Sequence, residues 1–145
     1  MAQQSDRIEL ASLYHSLWPE SSVEEHSRQL ATILAGKTPL PLINLAAETA
    51  TGRLVGFLEV GLRSHADGCD PSRPVGFIEG WYVAPEYRRQ GIGQQLLAAA
   101  EAWARDQGCS EMASDTQLDN HISQTVHQAF GYEVVDRCVH FRKPL

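Results

Sequence analysis

Glu79 is the residue whose type and setting most call for chemistry. It is the one carboxylate in the apolar run Val75–Val83, VGFIEGWYV. Burying a lone carboxylate is costly unless it is paired or put to use. Strict strand alternation would set it on one face with Phe77, Trp81 and Val83. A second chemical feature follows within ten residues, Arg88-Arg89-Gln90-Gly91-Ile92-Gly93. Two glycines between a strand and a helix remove Cβ atoms where a ligand approaches the backbone. The amides of a first helical turn have no intrahelical partner and carry partial positive charge. Such a turn favours a pyrophosphate, with Arg88 or Arg89 adding charge. It is neither a Walker loop nor GxGxxG, and on spacing alone a plain glycine-rich turn with solvated arginines is the better fit.

The elements that would position these residues follow from pattern. Apolar residues at helical spacing predict a first helix over roughly 5–17, ended by Trp18-Pro19. Ser22 and Glu25 form a capping box for a second helix reaching about Ala35, with Gly36 as its left-handed stop. Leu40–Ala47 and Arg53–Arg63, joined by a turn at Thr49–Gly52, read as an antiparallel hairpin. Ser64–Pro74 reads as a loop long enough to suspect function. After the Glu79 strand come a helix from about Gly91 to Gln107, a short strand Cys109–Ser114, a helix Asp119–Phe130 capped by Asp119, and a final strand Tyr132–Arg142. The order predicts one α/β (α+β) domain, residues 1–145, with a mixed sheet.

Composition narrows the function classes. The formal charge of −6 disfavours nucleic acid and anionic membranes and suits a cationic partner. No apolar run approaches the roughly 18 residues of a membrane span. The start MAQQSDRIEL lacks a basic segment followed by an apolar one, which argues against a secretory signal. Three widely spaced cysteines, Cys69, Cys109 and Cys138, predict reduced thiols in the cytoplasm and no zinc site. No metal is expected.

The full spelling Val83-x-Pro85-x-x-Arg88-Arg89-x-Gly91-x-Gly93 resembles motif A of the GCN5-related N-acetyltransferases. Around it, Leu17-Trp18-Pro19, Gly68-Cys69-Asp70, Phe77-Ile78-Glu79-Gly80, Met112–Thr116, Asn120-x-Ile122-Ser123, Val126–Ala129 and Phe130-Gly131-Tyr132 resemble the aminoglycoside 6′-N-acetyltransferases of that superfamily. The likeness runs from about Leu10 to Lys143. It implies a mostly antiparallel mixed sheet with helices on both faces, splayed where acetyl-CoA binds. It also implies acetyl-CoA as co-substrate, held by Arg88, Arg89, Gln90, Gly91, Ile92, Gly93 and Gln94. Trp81, Tyr82 and Val83 would pair with the pantetheine arm, and Asn120 would bond it.

The acceptor implied is a cationic aminoglycoside, acetylated at its 6′-amine by direct attack in a ternary complex. An amine of pKa about 9 is roughly 99% protonated at pH 7, so freeing its lone pair costs about 2.7 kcal/mol. Carboxylates are the candidates for holding the cation and taking the proton. The resemblance makes Glu79 and Asp115 catalytic, and adds Trp18, His65 and Asp136 as substrate contacts. It also implies a homodimer built on the C-terminal strand. Each assignment competes with a plainer one. Glu79 could pair with an arginine such as Arg63, Asp115 could be a turn residue, and Asn120 could be a helix cap. Trp18 could be core, His65 and Asp136 merely solvated. Nothing selects between Tyr87 and Tyr132 as donor to the leaving thiolate. The N-terminus is too short and polar for the strand that relatives place before the first helix. Two other functions fit motif A: acetylation of polyamines or peptide amines, and non-catalytic binding of acyl-CoA.

Overall fold

The computed structural model of the chain describes residues 1–144. Two helices, α1 (Arg7–Leu17) and α2 (Val23–Leu34), precede strands β1 (Leu42–Glu48), β2 (Leu54–Arg63) and β3 (Val75–Val83). Helix α3 (Ile92–Asp106), strand β4 (Met112–Ser114) and helix α4 (His121–Ala129) complete the regular structure. The sheet order is β1-β2-β3-β4, antiparallel at the first two junctions and parallel at the third. The hairpin closes at Thr49, whose N–H donates to Arg53 C=O at 2.8 Å, with Gly52 at φ 84°.

Side chains of alternate residues build two cores. On one face Phe57 and Leu54 pack under Leu10, Ala11 and Tyr14 of α1 and Leu30 of α2. On the other, Leu58, Val60 and Ile78 pack against Leu96, Leu97 and Ala100 of α3. Helix α2 starts on the expected capping box: Ser22 Oγ accepts from Glu25 N, and Glu25 returns a carboxylate to Ser22 N–H at 2.7 Å.

Several expectations are corrected. The turn at Gln4–Asp6 is 3-10, and α1 proper begins at Arg7. As its short polar sequence implied, the segment before it makes no strand, although Ala2 N–H reaches Asn44 C=O at 2.8 Å. The strand after α3 is three residues, Met112–Ser114, because only these reach β3. Asn120, not Asp119, caps α4, through Oδ1 accepting from Ser123 N. The final strand expected over Tyr132–Arg142 is absent: that segment forms no ladder with any described strand. Its apolar residues Val134, Val139 and Phe141 lie exposed instead.

Candidate active site

The pairing of β2 with β3 slips at one place. Glu59 pairs with Gly80 and Val60 with Ile78, so Glu79 is an extra residue opposite no partner, a β-bulge. The bulge breaks alternation. Trp81 and Val83 turn to the α3 side with Ile78, while Phe77, Glu79 and Gly80 share the α1 side. Glu79 therefore does not share a face with Trp81 and Val83, as strict alternation had required. On its other edge β3 meets β4 only at Gly76, Phe77 and Ile78. From Glu79 to Val83 that edge carries no strand among the described residues, so its outward backbone groups are open to an extended ligand except Val83 C=O, which accepts from Arg88. Asp115 directly follows Ser114, the last residue of β4 and the partner of Ile78, so Glu79 on β3 and Asp115 just beyond β4 come directly after the last β3–β4 pair.

Glu79 is not free. Arg63 donates to it through Nε at 3.1 Å and Nη2 at 2.8 Å, a two-point ion pair, and the guanidinium lies 3.3 Å over the ring centre of Phe77. The plainer arginine pairing weighed for this residue is thus present. The pair is half exposed and faces a cavity of about 310 Å³. Trp18, Ser21, His26, Glu59 and Glu79 help line it.

Trp18 ends α1 and turns its indole edge-on to Tyr14, with centroids 5.0 Å apart. It can lie there because Gly80 has no side chain: a Cβ at that position would sit 2.3 Å from Trp18 Cη2. His26 Nε2 donates to the Trp18 carbonyl at 2.9 Å, while its Nδ1 is buried without a partner among the described residues. A carbonyl only accepts, so Nε2 carries the proton.

The glycine turn has the expected shape for a different reason at each glycine. Gly91 caps α3 at φ 81°, a left-handed conformation, and Arg89 also holds a positive φ of 60°. A Cβ on Gly93 would lie 3.4 Å from Trp81 Nε1, an ordinary packing distance, so Gly93 lies against the indole. The first helical bond is Gln95 N–H to Gly91 C=O at 3.0 Å, which leaves the amides of Ile92, Gly93 and Gln94 ahead of the ladder. Arg88 Nε donates to Val83 C=O at 2.7 Å, and its guanidinium lies 5.7 Å from the Tyr82 ring centre. Gln90 Nε2 bonds Glu86 C=O. These residues fit a pyrophosphate beside an extended arm on the β3 edge.

The remaining expected site residues stand apart from the cavity. His65 is exposed and bonds only its neighbour Ser64. Asp136 is exposed and accepts from Arg137 N. Asn120 is occupied as the α4 cap. Near the open β3 edge, His127 Nε2 lies 3.0 Å from Ser114 Oγ and its ring meets Trp81 edge-on at 5.6 Å. Tyr132, whose hydroxyl is buried without a partner, is pushed up to about 12 by burial and then by the charge of Glu101. Burial also raises the thiols of Cys69 and Cys109, so neither is primed as a thiolate.

Glu59 was not anticipated. It is 4% exposed in the middle of β2, hydrogen-bonded to Tyr14 Oη and to Asn44 Nδ2. The signal that singled out Glu79, one carboxylate in an apolar strand, was equally present here.

The family model for the acetyltransferase (GNAT) family matches residues 9–132. The chain is 44% identical over 141 residues to an aminoglycoside N(6′)-acetyltransferase type 1 of Klebsiella aerogenes, spanning 97% of this chain and 92% of that protein. To one of the same name from Stenotrophomonas maltophilia it is 40% identical over 144 residues, 99% and 91% of the two chains. Among solved structures, AAC(6′)-Iy in complex with the bisubstrate analogue CoA-S-monomethyl-acetylneamine superposes with a TM-score of 0.88. Identity there is 36%, over 99% of this chain and 95% of that one. The aminoglycoside 6′-N-acetyltransferase AAC(6′)-Ih of Acinetobacter baumannii gives 0.88 at 34% identity, over 99% and 95%.

Proposed function

The chain belongs to the acetyltransferase (GNAT) family, and on that premise we propose that it acetylates the 6′-amine of aminoglycosides from acetyl-CoA. The observation that carries this reading is a juxtaposition. An acidic, aromatic-walled cavity opens on the α1 side of the bulge at which the free edge of β3 begins. Acetyl-CoA supplies an activated acyl group as a thioester. The residues that would hold it are the amides of Ile92, Gly93 and Gln94, the side chains Arg88, Arg89 and Gln90, Gly91 at the cap, and the backbone of Trp81, Tyr82 and Val83. Asn120 would reach its arm only by sharing its cap oxygen.

Glu79 binds the acceptor ammonium and takes its proton, directly or through water. Both its oxygens are engaged by Arg63, so the incoming ammonium must share or displace one of those hydrogen bonds. Trp18 forms the wall against which a sugar ring stacks, and Asp115 stands ready just beyond the opposite strand of the fork as a second carboxylate. His65 and Asp136 are assigned to outer amino groups of the substrate. Attack is direct in a ternary complex, a reading supported by the raised thiols of Cys69 and Cys109.

Residues 1–145 form one catalytic domain, supported by the family match and by structural neighbours spanning 99% of the chain. A homodimer is supported by the exposed apolar segment at Val134, Val135, Val139 and Phe141. A cytoplasmic site of action is supported by three free cysteines. No helix among the described residues is long and apolar enough to cross a membrane. The decisive experiment follows release of coenzyme A from acetyl-CoA with and without kanamycin or tobramycin. Release that depends on the aminoglycoside is expected. Equal rates in its presence and absence would refute the proposal.

A further inference from the structure

Below Glu79 in the same cavity lies a polar cluster to which no step has been assigned. Side chains from three elements close a triangle. Tyr14 Oη of α1 meets Asn44 Oδ1 of β1 at 2.7 Å and also meets Glu59 Oε2 of β2. Asn44 Nδ2 meets the same Oε2 at 3.0 Å. Three hydrogen bonds require three protons. The asparagine amide supplies one, whichever way round it stands, because one of its two atoms in the triangle is an oxygen. The tyrosine supplies one. The third can come only from Glu59. With Glu59 ionised, one edge of a buried triangle would set lone pair against lone pair. The three bonded edges thus place the third proton on Glu59. Burial acts in the same direction and is the leading cause of its raised pKa, opposed by the hydrogen bonds from Tyr14 and Asn44 and reinforced by the charge on Glu79.

The surroundings say what could change that state. Glu59 is hydrogen-bonded to Tyr14 of α1 and Asn44 of β1, feels the charge of Glu79 on β3, and shares the cavity lining with Glu79, His26 of α2 and Glu20. His26 donates through Nε2 to Trp18 and presents no proton to Glu59. Arg63 is committed to Glu79. Among the described residues no cation pairs with Glu59, so the cation must arrive with the acceptor. Resting on the aminoglycoside reading above, we propose that Glu59 is a proton-linked subsite, neutral in the free protein and ionised when an ammonium of the acceptor enters the cavity. The O–H bond of Glu59 breaks and its proton leaves to solvent. Tyr14 then turns its hydroxyl from Asn44 to Oε2, so the carboxylate keeps two donors, and the Tyr14–Asn44 edge loses its proton, a cost the incoming ammonium must offset. Oε1, which has no hydrogen-bond partner among the described residues, receives the ammonium. The site thus avoids storing an uncompensated buried anion while empty and still offers one to a polycation.

The test is calorimetric titration of wild type and E59Q with tobramycin near pH 7, in buffers of different ionisation enthalpy. Wild type should release up to about one proton more per bound tobramycin than E59Q, and its affinity advantage should grow up to about tenfold per pH unit while Glu59 remains protonated in the free protein. Equal proton counts in the two proteins overturn the proposal. Should E59Q fail to fold, the infrared difference spectrum of wild type decides it. Loss of a protonated-carboxyl band on tobramycin binding supports the subsite, and an unchanged band overturns it. Tobramycin acetylation with equal proton counts removes this inference alone; no binding and no turnover removes the aminoglycoside reading with it.

Discussion

Replacing Glu79 by glutamine separates the two halves of the site. The substitution keeps the size of the side chain and leaves Arg63 one good acceptor, but removes the charge that faces the cavity. A hydrogen bond to a charged group contributes about 1.5–3 kcal/mol, or about 10- to 150-fold in a rate or equilibrium constant. Glu79 is not buried, its side chain being 30% exposed, and Arg63 holds both oxygens at rest. Both facts place the effect in the lower part of that range, so kcat/KM for tobramycin should fall roughly 10- to 30-fold. Affinity for acetyl-CoA should hold within about twofold, because the glycine turn and the outer edge of β3 keep their backbone groups. Stability should change by about 1 kcal/mol or less, the usual scale for a partly exposed ion pair. Steady-state kinetics, direct titration with acetyl-CoA and thermal melting of the same preparation give the three numbers. A kcat/KM within twofold of wild type would refute the role given to Glu79. Equal loss of acetyl-CoA affinity would refute the division of the site.

Three further outcomes are expected. Gly80→Ala forces a Cβ to within 2.3 Å of Trp18 Cη2, so the indole must move; overpacking of this kind costs about 1–3 kcal/mol, and KM for the aminoglycoside should rise several-fold with acetyl-CoA binding unchanged. Stability should depend on pH through Glu59, whose folded value is raised above its ordinary 4.5. The protonated form is favoured by folding, so its contribution is complete below 4.5 and is lost as pH rises through the folded value. The melting temperature of wild type relative to E59Q should therefore fall with rising pH, and a flat difference would be contrary evidence. Phe141 is 94% exposed, so Phe141→Asp should leave the melting temperature of an isolated chain unchanged. It should convert a dimer to a monomer by light scattering, and an unchanged mass would count against pairing through this segment.

Local patterns carried the parts of the fold that local forces decide. The Ser22–Glu25 capping box and the Thr49–Gly52 hairpin turn were readable because their hydrogen bonds span four residues or fewer. The segment from Tyr132 to Arg142 was misread for the converse reason. Val134, Val135, Val139 and Phe141 have the residue types of a strand, but a strand exists only with a partner, and no described strand of this chain pairs with it. Asn120 was anticipated both as part of a cap and as a cofactor contact, and the cap is the role its hydrogen bond fills. Glu59 carried the same lone-carboxylate signal as Glu79, but its role was hidden because its partners lie far off in sequence, Asn44 by 15 positions and Tyr14 by 45. A proton count is possible only once the fold has brought those three together.

The bulge is the one irregularity from which both halves of the site follow. Period-two alternation cannot show it, because a single inserted residue leaves the composition of β3 unchanged. Its consequences are nevertheless specific. By adding Glu79 opposite no residue of β2, it brings Gly80 across from Glu59 on the α1 side. The missing side chain at Gly80 is the space that Trp18 occupies, and Trp18, Glu59 and Glu79 line the acceptor cavity. The same inserted residue comes directly after Ile78, the last residue of β3 that pairs with β4, so the strand beyond it keeps an open edge. A regular β3 would turn the residue at position 80 to the α3 side, remove the opening for Trp18, and return Trp81 and Val83 to the face of Glu79. The cofactor edge and the acceptor cavity are thus consequences of one extra residue, and a substitution that restored regular pairing should damage both at once.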